Sequence, residues 1–323
     1  MNATELSAVA EKMKKVQDAV GQVIVGQKDL VHSLILALLA DGHVLLEGLP
    51  GLAKTLAVTT LSQAIDCECK RIQFTPDLLP GDLIGTTVYN PKEQAFSVHQ
   101  GPIFTNILLA DEINRAPPKV QSALLEVMQE RQISISGETF KAKKPFLVLA
   151  TQNPVELEGT YPLPEAQLDR FMLKVCISYP SEKEEKEILA RMARIGERPK
   201  IQPVITGSEL LEMRKCIDGV FVDPKVTDYI INLVFATREP ERFKIKVDNL
   251  IAYGASPRAS IYLTMASKAE ALLDGRDYVT PRDVRKVVMN VLRHRVKPTY
   301  EAEAEEVTSD EIVRRIVETI PDV

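Results

Sequence analysis

A phosphate-binding pattern occupies residues 48–55, where the chain reads Gly48-Leu-Pro-Gly-Leu-Ala-Lys-Thr55. It fits G-x4-G-K-[ST] except at Ala53, which stands in place of the second glycine. A short apolar run at 43–47 precedes the loop and predicts a buried strand, and residues 56–65 predict the helix that follows. Because a strand, a glycine-rich turn and a helix in this order open a βαβ unit, the sequence predicts an α/β fold with a parallel sheet.

This loop predicts a nucleotide site. Its backbone amides converge on an anion, and the helix N-terminus adds partial positive charge. The Lys54 ammonium can reach the terminal phosphates, the Thr55 hydroxyl can hold Mg²⁺, and the Ala53 methyl group crowds the nearest amide. An ordinary strand-to-helix turn that ends in a surface lysine is the alternative. The candidate nucleotide-binding residues of this segment are Gly48, Pro50, Gly51, Leu52, Ala53, Lys54, Thr55 and Leu56.

A pair of carboxylates ends a second predicted strand, Ile107-Leu-Leu-Ala-Asp-Glu112. The carboxyl ends of strands form the edge at which α/β folds bind ligands. There Asp111 can hold Mg²⁺, directly or through water, and Glu112 can polarise the attacking water. A strand that simply ends in two solvated acids is the alternative. The phosphate-binding loop favours the catalytic interpretation, since each motif predicts the other.

A polar amide follows the next predicted strand, in the segment Ala150-Thr-Gln-Asn-Pro154. If the strands are neighbours, Asn153 lies beside Asp111 and Glu112 and can orient the same water by a hydrogen bond. In isolation an Asn-Pro pair more often initiates a turn. Its position at a strand end favours the functional role.

Two arginines are candidates for contact with the phosphates. Arg170 lies just before a predicted strand and has the chemistry to stabilise a phosphoryl transition state, often from a neighbouring subunit. A salt bridge with Asp169 or Glu165 is the alternative. Arg258 lies at a predicted helix start, where the helix dipole disfavours a cation, and this misfit indicates a ligand-binding task rather than a solvated surface position.

The pattern of elements changes near residue 180. We expect an α/β domain over residues 1–180, with two N-terminal helices, and a helical domain over 181–323, which a capping box at Ser181 opens. Within the first domain, residues 75–101 are rich in Pro, Gly and Asp and predict an insertion with a small hairpin or short helix. A second hairpin is predicted at 132–143. The remaining predicted strands are 71–74, 106–110, 146–150 and 172–177.

The composition is that of an ordinary water-soluble protein: 323 residues, 45% apolar and 26% charged. A net charge of −5 argues against nucleic-acid or membrane binding through bulk positive charge. The four cysteines form neither a disulfide framework nor a zinc spacing, which indicates reduced thiols in a cytosol. With no targeting segment and no apolar run long enough to span a bilayer, a cytoplasmic protein is expected.

In their order along the chain, these motifs resemble the MoxR family of AAA+ ATPases. The matching segments are GLPGLAKT, LLADEINRAPPKVQSALLEVMQE, ATQNP, LPEAQLDRF and GASPRA, and the resemblance covers about residues 20–295. It implies an AAA+ P-loop core with a five-stranded parallel sheet in αβα layers and a C-terminal all-helical lid. The segments at about 75–104 and 131–145 would be the helix-2 insert and the pre-sensor hairpin.

The resemblance also implies roles for single residues. Val25 and Gly26 would lie near the adenine of ATP. The other implied roles are Walker A for Lys54 and Thr55, Walker B for Asp111 and Glu112, sensor 1 for Asn153, arginine finger for Arg170 and sensor 2 for Arg258. Ala53 departs from the general loop pattern, which bears on affinity and turnover more than on nucleotide binding itself.

Family resemblance further implies Mg²⁺-dependent ATP hydrolysis in a homo-oligomer, a hexameric ring, with chaperone-like remodelling of protein complexes. A von Willebrand factor A-domain protein is an implied partner. Two other motors remain open: a metal-chelatase subunit, and a nucleic-acid motor in which Lys141, Lys143 and Lys144 touch phosphates in a pore. The net acidic charge and scarcity of aromatic residues weigh against the nucleic-acid motor. Glu112 weighs against a scaffold that binds nucleotide without hydrolysis.

Overall fold

The computed structural model describes residues 3–49, 51–92, 94–153, 159–193 and 201–322. Its strands, in chain order, are β1 (Val44–Gly48), β2 (Cys69–Gln73), β3 (Gly85–Asn90), β4 (Ala95–Gln100), β5 (Ile107–Asp111), β6 (Gln132–Ile135), β7 (Glu138–Lys141), β8 (Leu147–Gln152), β9 (Leu173–Ile177), β10 (Ile251–Tyr253) and β11 (Lys297–Pro298). Its helices are α1 (Ala3–Val23), α2 (Lys28–Leu39), α3 (Lys54–Ala64), α4 (Pro80–Ile84), α5 (Pro118–Glu130), α6 (Glu165–Leu168), α7 (Glu182–Met192), α8 (Gly207–Asp218), α9 (Pro224–Ala236), α10 (Pro257–Leu273), α11 (Pro281–Leu292), α12 (Tyr300–Ala304) and α13 (Ser309–Thr319).

One sheet contains five strands in the order β2-β5-β8-β1-β9. Its central strands β5, β8 and β1 are almost entirely buried and apolar, as expected of parallel strands that are covered on both faces. In the parallel register Leu149 of β8 lies opposite Val44 on one side and Leu109 on the other. The predicted α/β fold is confirmed, and the carboxyl ends of the three strands meet at one edge of the sheet.

Two hairpins stand apart from this sheet. In the predicted insertion the short helix α4 is followed by β3 and β4, which pair antiparallel, so this segment holds both a helix and a hairpin. The second hairpin pairs β6 with β7. Its turn residues Ser136 and Gly137 have φ of 49° and 89°, as a two-residue turn with two left-handed positions requires.

Packing divides the chain into two compact units. The sheet-bearing unit comprises the described parts of 15–170 and 175–211, and the helical unit those of 1–14, 171–174 and 212–323. The domain boundary at residue 180 rests on sequence pattern and stays a prediction. At that point Ser181 forms the predicted capping box: its hydroxyl accepts from the Glu184 amide, and its own amide donates to the Glu184 carboxylate.

The helical unit has an apolar core to which α9, α10, α11 and α13 each contribute buried residues, among them Leu233, Leu263, Val288 and Ile316. It also holds the short antiparallel pair β10–β11, which the helical pattern of the sequence did not predict. The side chain of Asp283 is 1% exposed and accepts from both terminal nitrogens of Arg276, at 2.8 and 2.7 Å.

The four cysteines are free thiols. No described helix combines the length and apolarity that a bilayer crossing needs.

Candidate functional site

A cavity of about 540 Å³ lies at the carboxyl edge of the sheet, within the sheet-bearing unit. The loop after β1 forms one wall, and the ends of β2, β5 and β8 form the other. Of the residues proposed from sequence, this cavity brings together the loop, both carboxylates and the strand-end amide. Its lining consists of Gly51, Leu52, Ala53, Lys54, Thr55, Leu56, Thr59, Arg71, Gln73, Asp111, Glu112 and Asn153.

The loop reaches helix α3 through two left-handed residues. Gly51 has φ of 82°, and Ala53, which immediately precedes α3, has φ of 56° and ψ of 19°. A left-handed conformation costs a non-glycine residue about 1–2 kcal/mol, so the backbone at Ala53 has the shape that the second glycine of the pattern supplies without this cost. Ala53 makes no side-chain hydrogen bond to the first turn of α3, as no alanine can. The first amides of α3 therefore have no side-chain cap from Ala53, which leaves them available to an anion.

Lys54 is the first residue of α3 and lies over the loop. Its Nζ donates a hydrogen bond of 2.6 Å to the carbonyl of Gly48, at the end of β1. Burial lowers the pKa of the ammonium, and the charges of Asp111 and Glu112 oppose that shift. Both carboxylates are thus close enough to Lys54 to affect its charge, as in a site built for a polyanion with a metal ion.

Asp111 ends β5 and is held by a side chain on each neighbouring strand. On β8, Thr151 donates to Asp111 Oδ1 over 2.6 Å. On β2, Arg71 approaches Oδ2 with Nη2 at 2.5 Å and Nε at 3.1 Å. Neither Arg71 nor Thr151 was predicted as a site residue from the sequence. Alternation along β2 was the signal for Arg71, since it places residues 71 and 73 on one face of the strand.

Glu112 follows Asp111 with a left-handed backbone, at φ 55°. Its amide donates to Thr151 Oγ1 over 2.8 Å, so one hydroxyl ties the backbone of Glu112 to the carboxylate of Asp111. Its Oε2 accepts from Gln73 Nε2 at 2.8 Å and from Arg115 Nη1 at 3.1 Å. The observed side-chain hydrogen bonds of Glu112 thus go to Gln73 at the end of β2 and to Arg115, and not to the phosphate-binding loop.

The remaining candidates lie in different places. Asn153 is 9% exposed and lines the cavity just after β8. Val25 is buried and Gly26 has φ of 67°, both in the turn before α2, and neither lines the cavity. Gly48 ends β1 beneath the loop. Pro50 lies outside the described residues.

The two candidate arginines do not line this cavity. Arg170 follows α6, and its Nη1 donates to the carbonyl of Leu125 on α5 over 2.8 Å. Arg258 is in the first turn of α10 in the helical unit, where its amide donates to the hydroxyl of the N-cap residue Ser256 over 3.2 Å. Their proposed roles therefore rest on the sequence.

The oxygen donors of the cavity fit a hard divalent cation. The Thr55 hydroxyl and the Asp111 carboxylate are ligands that Mg²⁺ prefers, and Mg²⁺ commonly completes its shell with water and phosphate oxygens. Within the described part of the chain, no group of three or more His, Cys, Asp or Glu side chains could hold a metal ion alone. The site thus suits a cation that arrives with phosphate rather than an all-protein metal centre.

Comparisons with known proteins agree with this geometry. Residues 43–173 match the family model described as "ATPase family associated with various cellular activities (AAA)", and residues 245–316 match the AAA lid domain. The chain is 48% identical to the chaperone MoxR1 of Mycobacterium tuberculosis over 319 aligned residues. The alignment covers 98% of this chain and 84% of the relative.

Two further comparisons cover most of the chain. Identity to the protein MoxR of Methylorubrum extorquens is 29% over 320 residues, covering 94% of this chain and 92% of the relative. A crystal structure of a Cytophaga hutchinsonii protein superposes with a TM-score of 0.94 at 47% identity, covering 99% of this chain and 97% of the other. Its similarity extends over the sheet, the loop and the helical unit.

Proposed function

The chain belongs to the MoxR family of AAA+ ATPases, and from that premise we propose that it hydrolyses ATP in a magnesium-dependent reaction and uses the energy to remodel protein complexes. One observation carries the proposal. The lysine of the phosphate-binding loop, the two carboxylates and the strand-end amide line a single cavity of about 540 Å³. A hydrolytic nucleotide site needs these groups together, because phosphate, metal and attacking water meet at the γ-phosphate.

Each group takes one task in the proposed reaction. The amides at the start of α3 and Lys54 bind the phosphates. Thr55 and Asp111 would hold Mg²⁺, which would neutralise negative charge on the phosphates. Glu112 accepts a proton from the attacking water, and Asn153 orients that water by a hydrogen bond.

The proposal extends to assembly. Each site is completed in a homo-oligomer, a hexameric ring, by Arg170 of a neighbouring subunit, and Arg258 of the helical lid responds to the γ-phosphate. The name of the mycobacterial relative, a chaperone, supports the proposed remodelling of a protein client. A von Willebrand factor A-domain protein is the partner we propose, with the cytoplasm as the place of action.

Two variants test the chemistry. Glu112→Gln should bind ATP normally and lose turnover by about 10²-fold or more, because a positioned base contributes on that order. Lys54→Ala should instead weaken nucleotide binding itself. Equilibrium binding of a fluorescent ATP analogue and phosphate release separate the two effects. A Glu112→Gln protein that still hydrolyses ATP at the wild-type rate would remove Glu112 from the mechanism. Proteins that co-purify with this variant identify the client.

A further inference from the structure

A cation of the protein itself lies on the carboxylate that is proposed to hold magnesium. Arg71 contacts Asp111 Oδ2 through two nitrogens, at 2.5 and 3.1 Å. Oδ1 of Asp111 accepts from Thr151 at 2.6 Å. Both oxygens of Asp111 therefore accept hydrogen bonds from the protein. One of the two donor side chains, that of Arg71, carries a full positive charge.

We propose that Arg71 is a resident counter-ion of Asp111, which occupies the carboxylate in the absence of metal and leaves it when Mg²⁺ binds with nucleotide. The inference rests on the proposed function, since it concerns the same metal position. A bound Mg²⁺ lies about 2.0–2.1 Å from its oxygen ligands, so it and a guanidinium cannot share Oδ2 without strong repulsion between two cations at short range.

Exposure decides which partner moves. The Asp111 side chain is 15% exposed, while that of Arg71 is 52% exposed. A carboxylate in a mostly buried position is costly without a counter-charge, which explains why the strand next to it supplies one. A half-exposed guanidinium, in contrast, can turn into solvent at little cost, since exposed ion pairs contribute only about 0–1 kcal/mol.

Gln73, on the same strand, forms a hydrogen bond with the Arg71 guanidinium. Its Oε1 accepts from Arg71 Nη2 over 2.9 Å. Because residues 71 and 73 share one face of β2, release of Asp111 leaves Arg71 beside the cavity that it already lines. Arg71 thus sets the concentration of divalent cation at which the site accepts nucleotide.

Arg71→Gln tests this role, with Arg115→Gln as the matched control. Arg115 is also partly exposed and also bonds a carboxylate of the site, but its partner is Glu112. The measurement is the affinity of a fluorescent, non-hydrolysable ATP analogue across a Mg²⁺ titration that starts from chelator. We expect Arg71→Gln to lower the half-saturating Mg²⁺ concentration by roughly three- to fivefold, as the loss of a competing ion pair predicts, and Arg115→Gln to shift it by less than about twofold.

Thermal unfolding supplies a second readout. In chelator, Arg71→Gln should unfold at a lower temperature than the wild type, because Asp111 has lost its counter-ion. Saturating Mg²⁺ and nucleotide should close this gap, since the metal then supplies the charge. A gap of the same size in both conditions would mean that Arg71 is structural, and would overturn the proposal.

Two outcomes of the titration also overturn it. One is an Arg71→Gln midpoint equal to the wild type, and the other is an equal shift in both variants, which would reflect general electrostatics. If nucleotide binding by the wild type does not depend on Mg²⁺ at all, the proposed metal site fails first, and the role of Arg71 fails with it.

Discussion

Gln73 Nε2 donates a hydrogen bond of 2.8 Å to Glu112 Oε2, so that a side chain at the end of β2 holds the carboxylate proposed as the catalytic base. The same oxygen also accepts from Arg115. An oxygen that already accepts two hydrogen bonds is less available to an attacking water. The arrangement therefore restrains the Glu112 carboxylate.

Removal of this restraint should speed basal hydrolysis. We expect Gln73→Leu to raise ATP turnover at saturating Mg²⁺ about two- to tenfold, which corresponds to about 0.4–1.4 kcal/mol in the barrier. Phosphate release under saturating ATP measures the effect. Gln132→Leu, at an exposed glutamine of β6, is the control. Slower turnover in Gln73→Leu would show that Gln73 positions the base instead.

Replacement of Ala53 by glycine should increase the stability of the protein. Because the Ala53 φ of 56° suits glycine, we expect Ala53→Gly to stabilise the protein by about 0.5–1 kcal/mol, after the greater freedom of glycine in the unfolded chain is subtracted. Denaturant unfolding measures this. Ala57→Gly, at a buried position inside α3, should instead destabilise by about 1 kcal/mol. Equal losses in both variants would contradict a strained backbone at Ala53.

Subunit mixing tests Arg170. We expect Arg170→Ala and Glu112→Gln proteins each to be inactive, because each lacks one proposed half of the site. Mixed rings should regain part of the ATPase activity, since some interfaces then combine an intact Glu112 with an intact Arg170. Activity is measured across mixing ratios, with each variant alone as the control. Mixed rings that form, as shown by co-purification of tagged subunits, yet remain inactive would exclude this form of action in trans.

The buried imidazole of His294 should make the stability of the protein depend on pH. Burial, followed by the charge of Arg295, lowers the pKa of this imidazole well below its ordinary value of 6.5. The unfolded chain then takes up a proton near pH 6.5 that the folded chain does not bind. Stability contributed by neutral His294 is therefore complete above pH 6.5 and falls on acidification, by at most about 1.4 kcal/mol per pH unit.

Replacement of this residue should flatten the acidic limb of the stability profile. We expect His294→Gln to be less stable than the wild type at pH 8 but to lose less stability from pH 6.5 downward. Denaturant unfolding at several pH values measures the free energy of unfolding. His99→Gln is the control, since it removes an exposed histidine instead of a buried one. A His294→Gln profile parallel to that of the wild type would exclude His294 as the titrating group.

The sequence predicted the parts of the site that follow from chain order. Asp111 directly follows a predicted apolar strand, and Lys54 and Asn153 lie in the loops that follow two others; parallel pairing brings such strand ends to one edge. The fold could be predicted for the same reason, since apolar runs separated by helices leave few topologies open.

Arg71 and Thr151 were not predicted, because their contacts with Asp111 depend on which strands pair. The hydrophobic pattern of the sequence does not reveal that pairing. Arg71 and Asp111 are 40 residues apart, and they meet only because β2 pairs with β5 in the observed register. The strand β2 is half exposed, so its apolar signal was weak. The left-handed backbone at Ala53 and Glu112 could not be predicted either, because alanine and glutamate ordinarily avoid it.

The position of β1 in the sheet has a consequence for biosynthesis. β1 lies between β8 and β9, and His43, just before β1, accepts a hydrogen bond from the amide of Val148, 105 residues later in the chain. A ribosome therefore delivers the loop long before the strands that fix it, and an apolar strand stays unpaired in the meantime. The nascent chain most needs protection from aggregation between the emergence of residue 48 and that of residue 177.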